Sequence, residues 1–161
     1  MPEPSAPSAL AAGALPADAI VLGFDVGARR IGVAVGSGLG GARAVAVVEV
    51  RAVGPDWDAI DRLHGQWRPR GLVVGDPMSL DGGDQPIRRI ARAFARELKA
   101  RYALPVAMID ERSSSVEAAQ RFARDRAAGN RRRRDAQALD AAAAAVIVER
   151  WLAAPADATP V

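Results

Sequence analysis

The segment Asp25-Val26-Gly27-Ala28-Arg29 constrains this chain more than any other. It joins two apolar runs, Ala19-Ile20-Val21-Leu22-Gly23-Phe24 and Ile31-Gly32-Val33-Ala34-Val35. Two β-rich runs linked by a short Gly-containing connection read as a hairpin, so Asp25 falls where the first strand stops. A carboxylate there loses hydration, which is costly unless it is paired or holds a cation. Asp and Gly are also ordinary turn residues, so a turn-capping role stands beside a functional one.

The pattern downstream continues as strands and then alternates. Strand one is expected over residues 19–25, strand two over 31–37 and, after the turn Gly38-Leu39-Gly40-Gly41, strand three over 43–53. These read as an antiparallel meander. Gly54-Pro55 breaks the pattern, and Asp56 is placed to cap a helix ending near Trp67, with Trp57, Ile60, Leu63 and Trp67 on one side. Trp57 and Trp67 read as core anchors rather than base-stacking platforms. Residues 71–75 form a short apolar strand, followed by a polar loop over 76–85. Pro86 suits the first turn of a helix running to Tyr102, with Ile87, Ile90, Ala91, Phe94, Leu98 and Tyr102 as its buried stripe. Arg88, Arg89, Arg92, Arg96 and Lys99 on that helix read as a solvated face. A strand over 104–109 ends in Asp110-Glu111-Arg112. Ser114 and Glu117 have the spacing of a capping box for a helix over 116–126. A basic loop over 127–134 leads into an Ala-rich helix over 135–152. Three strands followed by strand–helix alternation predict a mixed α/β sheet of five strands with helices on both sides, its parallel connections right-handed.

At 161 residues the chain suits one domain with a real core. Residues 1–17 (Ala-, Pro- and Ser-rich) and 153–161 read as disordered tails around a folded unit over 18–152. No run approaches the ~18 apolar residues of a membrane span, and the first residues lack a basic secretory n-region, so a cytoplasmic location is expected. There is no Cys and one His, His64. That excludes disulfide frameworks, thiolate or His-based zinc sites, and Ser-His or Cys-His nucleophile pairs. A metal would have to be held by oxygen, which favours Mg²⁺ or Mn²⁺. Net charge is +3 with an isoelectric point near 10.4. Lys99 is the one lysine among 22 basic residues. Arginine suits phosphate, but a GC-rich genome would enrich it as well, so placement has to carry any argument for nucleic acid.

Acidic residues far apart in sequence share one expected address. Asp25 ends strand one, Asp110 and Glu111 end the strand before the third helix, and Asp140 lies in the first turns of the last helix. The carboxyl ends of parallel strands are the usual functional edge of an α/β sheet. Asp25 and Glu111 can meet there, and Asp140 can join them if the last helix packs across strand one. Asp140 could instead face solvent or cap its helix. Clustered carboxylates repel and raise one another's pKa, a penalty that a divalent cation removes. Two such ions ~3.5–4 Å apart can activate water and stabilise a leaving oxygen in phosphodiester cleavage.

Four segments in order carry a family resemblance: Gly23-Phe24-Asp25-Val26-Gly27 with Arg30-Ile31-Gly32-Val33-Ala34; Val73-Val74-Gly75-Asp76-Pro77 with Asp81-Gly82; Asp110-Glu111-Arg112; and Asp140 with the alanine run to Val148. Over residues 20–152 the chain resembles the YqgF/RuvX family of Holliday-junction-resolvase-like proteins and pre-16S rRNA nucleases. The resemblance implies a ribonuclease-H-like fold. It also implies catalysis and metal binding by Asp25, Glu111 and Asp140, with Asp110 a lesser member of the set. Asp76 stands where the family usually has leucine; it is read as a loop cap, with a fourth ligand as the alternative. Ser113, Ser114 and Ser115 replace the family's threonines and keep the hydroxyls. Arg30 and Arg112 match basic motif positions that could clamp a phosphate or hold a catalytic carboxylate. Arg131, Arg132, Arg133 and Arg134 form a basic run suited to tracking phosphates or to solvation alone.

The expected function is a metal-dependent nuclease on structured nucleic acid, with pre-16S rRNA maturation first and cleavage of branched DNA second, acting as a monomer or weak homodimer. Two other classes compete. An actin-like or sugar-kinase ATPase also uses an Asp-x-Gly hairpin, but it requires two domains around one nucleotide. A non-catalytic nucleic-acid-binding module is disfavoured because acidic residues beside a phosphate channel only weaken binding in the absence of metal.

Overall fold

The computed structural model describes residues 15–77, 86–110 and 135–161. The helix expected over 116–126, its Ser114–Glu117 capping box and the basic loop over 127–134 lie outside those residues.

The hairpin forms as the apolar runs dictate. β1 (Val21–Val26) pairs antiparallel with β2 (Arg30–Ser37), Asp25 opposite Gly32. The Gly27 N–H donates to the Arg30 carbonyl at 2.9 Å and closes the connection. β3 (Gly41–Arg51) completes the meander; its register on β2 slips by one residue between Val33 and Ala34. β4 (Gly54–Pro55) folds back on β3, its Gly54 at φ +121°, a conformation open to glycine. α1 (Trp57–Trp67) starts at Asp56, whose carboxylate accepts from the Ala59 N–H at 3.3 Å, the cap its sequence predicts. β5 (Gly71–Asp76) lies parallel beside β1, and β6 (Val106–Asp110) parallel beside β5, with α2 (Pro86–Tyr102) between them in sequence. α3 (Asp135–Ala153) follows, then a 3-10 turn (Pro155–Asp157) and β7 (Thr159–Pro160), antiparallel to β6.

The sheet order is β4-β3-β2-β1-β5-β6-β7. Five strands were expected, and seven form among the described residues. The two extra strands are two-residue edge pieces, too short to leave a period in sequence. Of residues 153–161, expected to fray, Ala153 ends α3, Pro155–Asp157 form the 3-10 turn and Thr159–Pro160 pair with the β6 edge, where the Val161 N–H also donates to the Val106 carbonyl at 2.9 Å.

Alternation along the strands divides the core. One face carries Leu22, Phe24, Val26, Ile31, Val33, Leu72, Val74 and Met108 against α1 and α2. Phe94 of α2 meets Phe24 edge-on at 5.3 Å and stacks on Trp57 at 5.4 Å, so Trp57 packs against the core as expected. Ile90, expected in the buried stripe of α2, is 47% exposed, and Ala95 is buried instead. The other face carries Val21, Val73, Ala107 and Ile109 against Ile147 and Trp151 of α3, with Ala34 against Ala144, Ala145 and Val148. Small residues let α3 approach closely. A Cβ on Gly23 would overlap Val148, and one on Gly32 would overlap the Asp140 carbonyl. Among the described residues no helix is long and apolar enough to cross a membrane.

Candidate active site

Asp25 sits on the face covered by α3. It follows Val21 and Gly23 in the alternation of β1, and both of those meet α3 side chains. Its cross-strand partner Gly32 lies directly beneath the Asp140 backbone. The first turns of α3 therefore cross β2 one strand away from Asp25, at the carboxyl end of β1. The last helix was expected to pack across strand one; α3 meets β1 farther along, through Ile147, Val148 and Trp151, and its Asp140 turn stands over β2. Gly32 is what permits it, because a side chain there would lift the helix off the sheet.

Asp140 is oriented by the hairpin itself. Nε of Arg30, the first residue of β2, donates to Oδ2 of Asp140 at 2.7 Å, with the two side chains 36% and 30% exposed. A charge-assisted bond of that length fixes the carboxylate's direction. Of the two roles open to Arg30 in sequence, the structure displays that of holding a carboxylate.

Two further acidic candidates lie on the opposite face. Phe24 pairs with Val74, and Val74 with Met108, so these three share the α2 side of the sheet. Two residues on from Val74 and Met108 stand Asp76 and Asp110, side by side in register and on that same side. Asp76 is bound there by the guanidinium of Arg88 on α2, Nε to Oδ1 at 3.0 Å and Nη2 to Oδ2 at 3.4 Å, both side chains under 20% exposed. The expected common address of Asp25 and Asp110 is thus corrected: their strands β1 and β6 run parallel on either side of β5, but strand period turns Asp110 to the opposite face. Asp76 is occupied as half of an ion pair rather than aimed at Asp25. Glu111, Arg112 and Arg131 to Arg134 lie outside the described residues. Among the described residues no group of three metal-ligating side chains comes together; Asp25 and Asp140 belong to the same side of the sheet.

The one histidine plays no part here. His64 stacks on Tyr102 at 4.3 Å, at a contact between α1 and α2. There Arg101 grips Asp61 through Nε and Nη2 at 3.0 and 2.8 Å, and the Tyr102 hydroxyl donates to Asp61 at 2.6 Å. The Arg101 guanidinium and then the Tyr102 hydroxyl hold the Asp61 carboxyl down at about 2. Burial pushes the Tyr102 phenol well above its ordinary range. This clasp had no sequence signal beyond ordinary helix-surface charge.

The architecture matches that of solved resolvases. The chain aligns with "T. thermophilus RuvC in complex with Holliday junction substrate" at TM-score 0.53 and 18% identity, covering 89% of this chain and 99% of that one. It aligns with "Thermus thermophilus RuvC structure" at TM-score 0.50, covering 88% and 99%. The fold class is therefore α/β and ribonuclease-H-like. A family model described as "RuvX: Holliday junction resolvase" matches residues 19–154. Similar curated proteins carry the name "Putative pre-16S rRNA nuclease". The one from Xanthomonas axonopodis pv. citri (strain 306) is 74% identical over 149 residues, covering 92% of this chain and 96% of its own length. The one from Xanthomonas oryzae pv. oryzae (strain PXO99A) is 73% identical over the same span. This chain belongs to the RuvX family.

Proposed function

We propose that this protein is a nuclease that hydrolyses phosphodiesters in structured RNA during maturation of a 16S rRNA precursor, with Asp25, Asp140 and Glu111 as its acidic set. What supports the reading is that strand alternation puts Asp25 on the face covered by α3, where the Asp140 backbone stands over Gly32, the cross-strand partner of Asp25, and Arg30 holds the Asp140 carboxylate. The name borne by relatives at 73–74% identity supports RNA as the substrate. The family description favours a second reading, cleavage of branched DNA.

The donors suit a hard divalent cation. Asp25 and Asp140 offer only carboxylate oxygens, and the sequence has no cysteine thiolate, which matches Mg²⁺ or Mn²⁺ rather than zinc. Asp25 and Asp140, with Glu111, would hold it, and a bound cation supplies activation of water and charge stabilisation at the leaving oxygen. The chain's own residues do the rest. Arg30 ties the Asp140 carboxylate to the first residue of β2. Gly32 sets the height of Asp140 above β2. The β1–β2 hairpin keeps Asp25 and Arg30 at a constant separation.

The test is cleavage of a model 16S rRNA precursor and of a four-way DNA junction, each in EDTA, Mg²⁺ or Mn²⁺, alongside thermal melting. Cleavage of the RNA with either cation and none in EDTA is expected. Asp25→Asn is expected to lower the rate by on the order of 100-fold or more, the scale of a lost catalytic carboxylate, while melting stays near wild type. A folded Asp25→Asn protein with wild-type cleavage overturns the mechanism, and cleavage of the junction alone overturns RNA as the substrate.

A further inference from the structure

α2 carries Arg88, Arg92, Arg96 and Lys99 at steps of four, four and three residues, which places them along one side of the helix. Read from sequence, that charge was a solvated face. In the structure all four line a groove of about 890 Å³ between α2 and the β6–β7 edge of the sheet. Helical rise spaces the cations ~6 Å apart and spreads them over ~16 Å. Asp76 already compensates Arg88, and Lys99 donates to the Val161 carbonyl. Arg92 and Arg96, in the middle of the row, have no ion-pair partner among the described residues. Opposite them the wall is apolar, with Met108 of β6 and Pro160 of β7.

We propose that this groove is a second binding site for nucleic acid, taking a single polynucleotide strand that extends from the segment being cut. Charge complementarity selects a polyanion. The straight row selects an extended one, its phosphates following cations spaced ~6 Å apart along the helix. Pro160 and Val161 give sugars a small apolar surface to cover while phosphates follow the arginines, and a positive groove that tracks the backbone is the sequence-tolerant element of single-strand sites. The groove is connected to the proposed acidic set through the sheet. Asp76, at its mouth, ends β5, and β5 runs parallel beside β1, which carries Asp25. The two sites open at the same carboxyl rim from opposite faces, so a strand leaving the acidic set rounds that rim and meets Arg88 first. The Asp76–Arg88 pair lessens repulsion of the strand at the point of entry.

The inference rests on nucleic acid being the substrate, and the experiment separates the two. Binding of a 5′-labelled single-stranded RNA oligomer is followed by fluorescence anisotropy in EDTA over a range of salt, in the Asp25→Asn background. Each phosphate contact to a single strand contributes about 0.7 to the slope of log K against log salt. The double variant R92A/R96A is expected to flatten the slope by about 1.4 with melting unchanged, and R92K/R96K to restore it. R62A/R70A removes equal charge at exposed positions outside the groove and is expected to leave the slope unchanged. An unaltered slope in R92A/R96A overturns the proposal. So does an equal loss in both alanine pairs, or competition by poly-aspartate as strong as by RNA, which would mark the groove as a site for acidic protein. If the wild-type protein cleaves RNA while R92A/R96A keeps its slope, only the groove falls. If it cleaves no nucleic acid with either cation, the nuclease reading falls and takes the groove with it.

Discussion

The Arg30–Asp140 contact is short, but about a third of each side chain is in water. Pairs so exposed contribute about 0–1 kcal/mol to stability, so its value lies in direction rather than in holding the fold together. Arg30→Ala is therefore expected to leave melting almost unchanged and to lower cleavage ~10–100-fold, the usual effect of losing a group that orients a ligand. Arg30→Lys, which keeps the charge but loses the planar fork, is expected to recover only part. Cleavage rates at saturating Mg²⁺ and melting curves of both variants check this. A drop in melting that matches the drop in activity would mark Arg30 as merely structural. At this scale the sequence was informative about Asp25 and Asp140, because a carboxylate at a strand end and an acid amid alanines are each costly without a purpose. It left Arg30 with two roles, since an arginine reaches a phosphate and a carboxylate with the same donors.

α3 reaches the sheet because the positions it crosses are bare. Gly32 admits the Asp140 backbone, and Ala34 admits Ala144 and Val148. Adding one methyl at position 32 forces the helix away from β2, and overpacking of this kind typically costs about 1–3 kcal/mol. Gly32→Ala is expected to lower thermal stability by that amount and to lose more activity than its stability explains, because the displaced residue is Asp140 itself. Melting together with cleavage measured well below the variant's melting temperature decides the point; full activity there would show that the height of α3 is not critical. The helix was legible in the alanine run. Which of its faces met the sheet was not, because alanine on every side removes the apolar stripe that normally reports orientation.

Stability of the whole molecule depends on pH through a contact remote from the site. Asp61 titrates near 2 in the folded protein against an ordinary 3.8, because Arg101 and Tyr102 bond its charged form. A depressed carboxyl stabilises the fold above its unfolded value and loses that contribution as pH falls through the folded one. The wild-type protein is expected to lose a modest part of its stability between about pH 4 and pH 2. Asp61→Asn should start lower at neutral pH and show a flatter acid limb. Denaturant unfolding across that range measures both, and parallel limbs for the two proteins would remove the clasp from the balance. The sequence by itself determined the hairpin, the order of strands and helices, the helix cap at Asp56, and the chemistry available to a chain without cysteine and with one histidine. Tertiary structure alone decided that Asp76 and Asp110 turn away from Asp25, that the α2 arginines line a groove instead of open solvent, and that the last residues close a sheet edge. The reason is physical. Periodicity along a strand relates each residue to its own neighbours, whereas the side it shares with a distant residue is set by register between strands and by which helix covers which face.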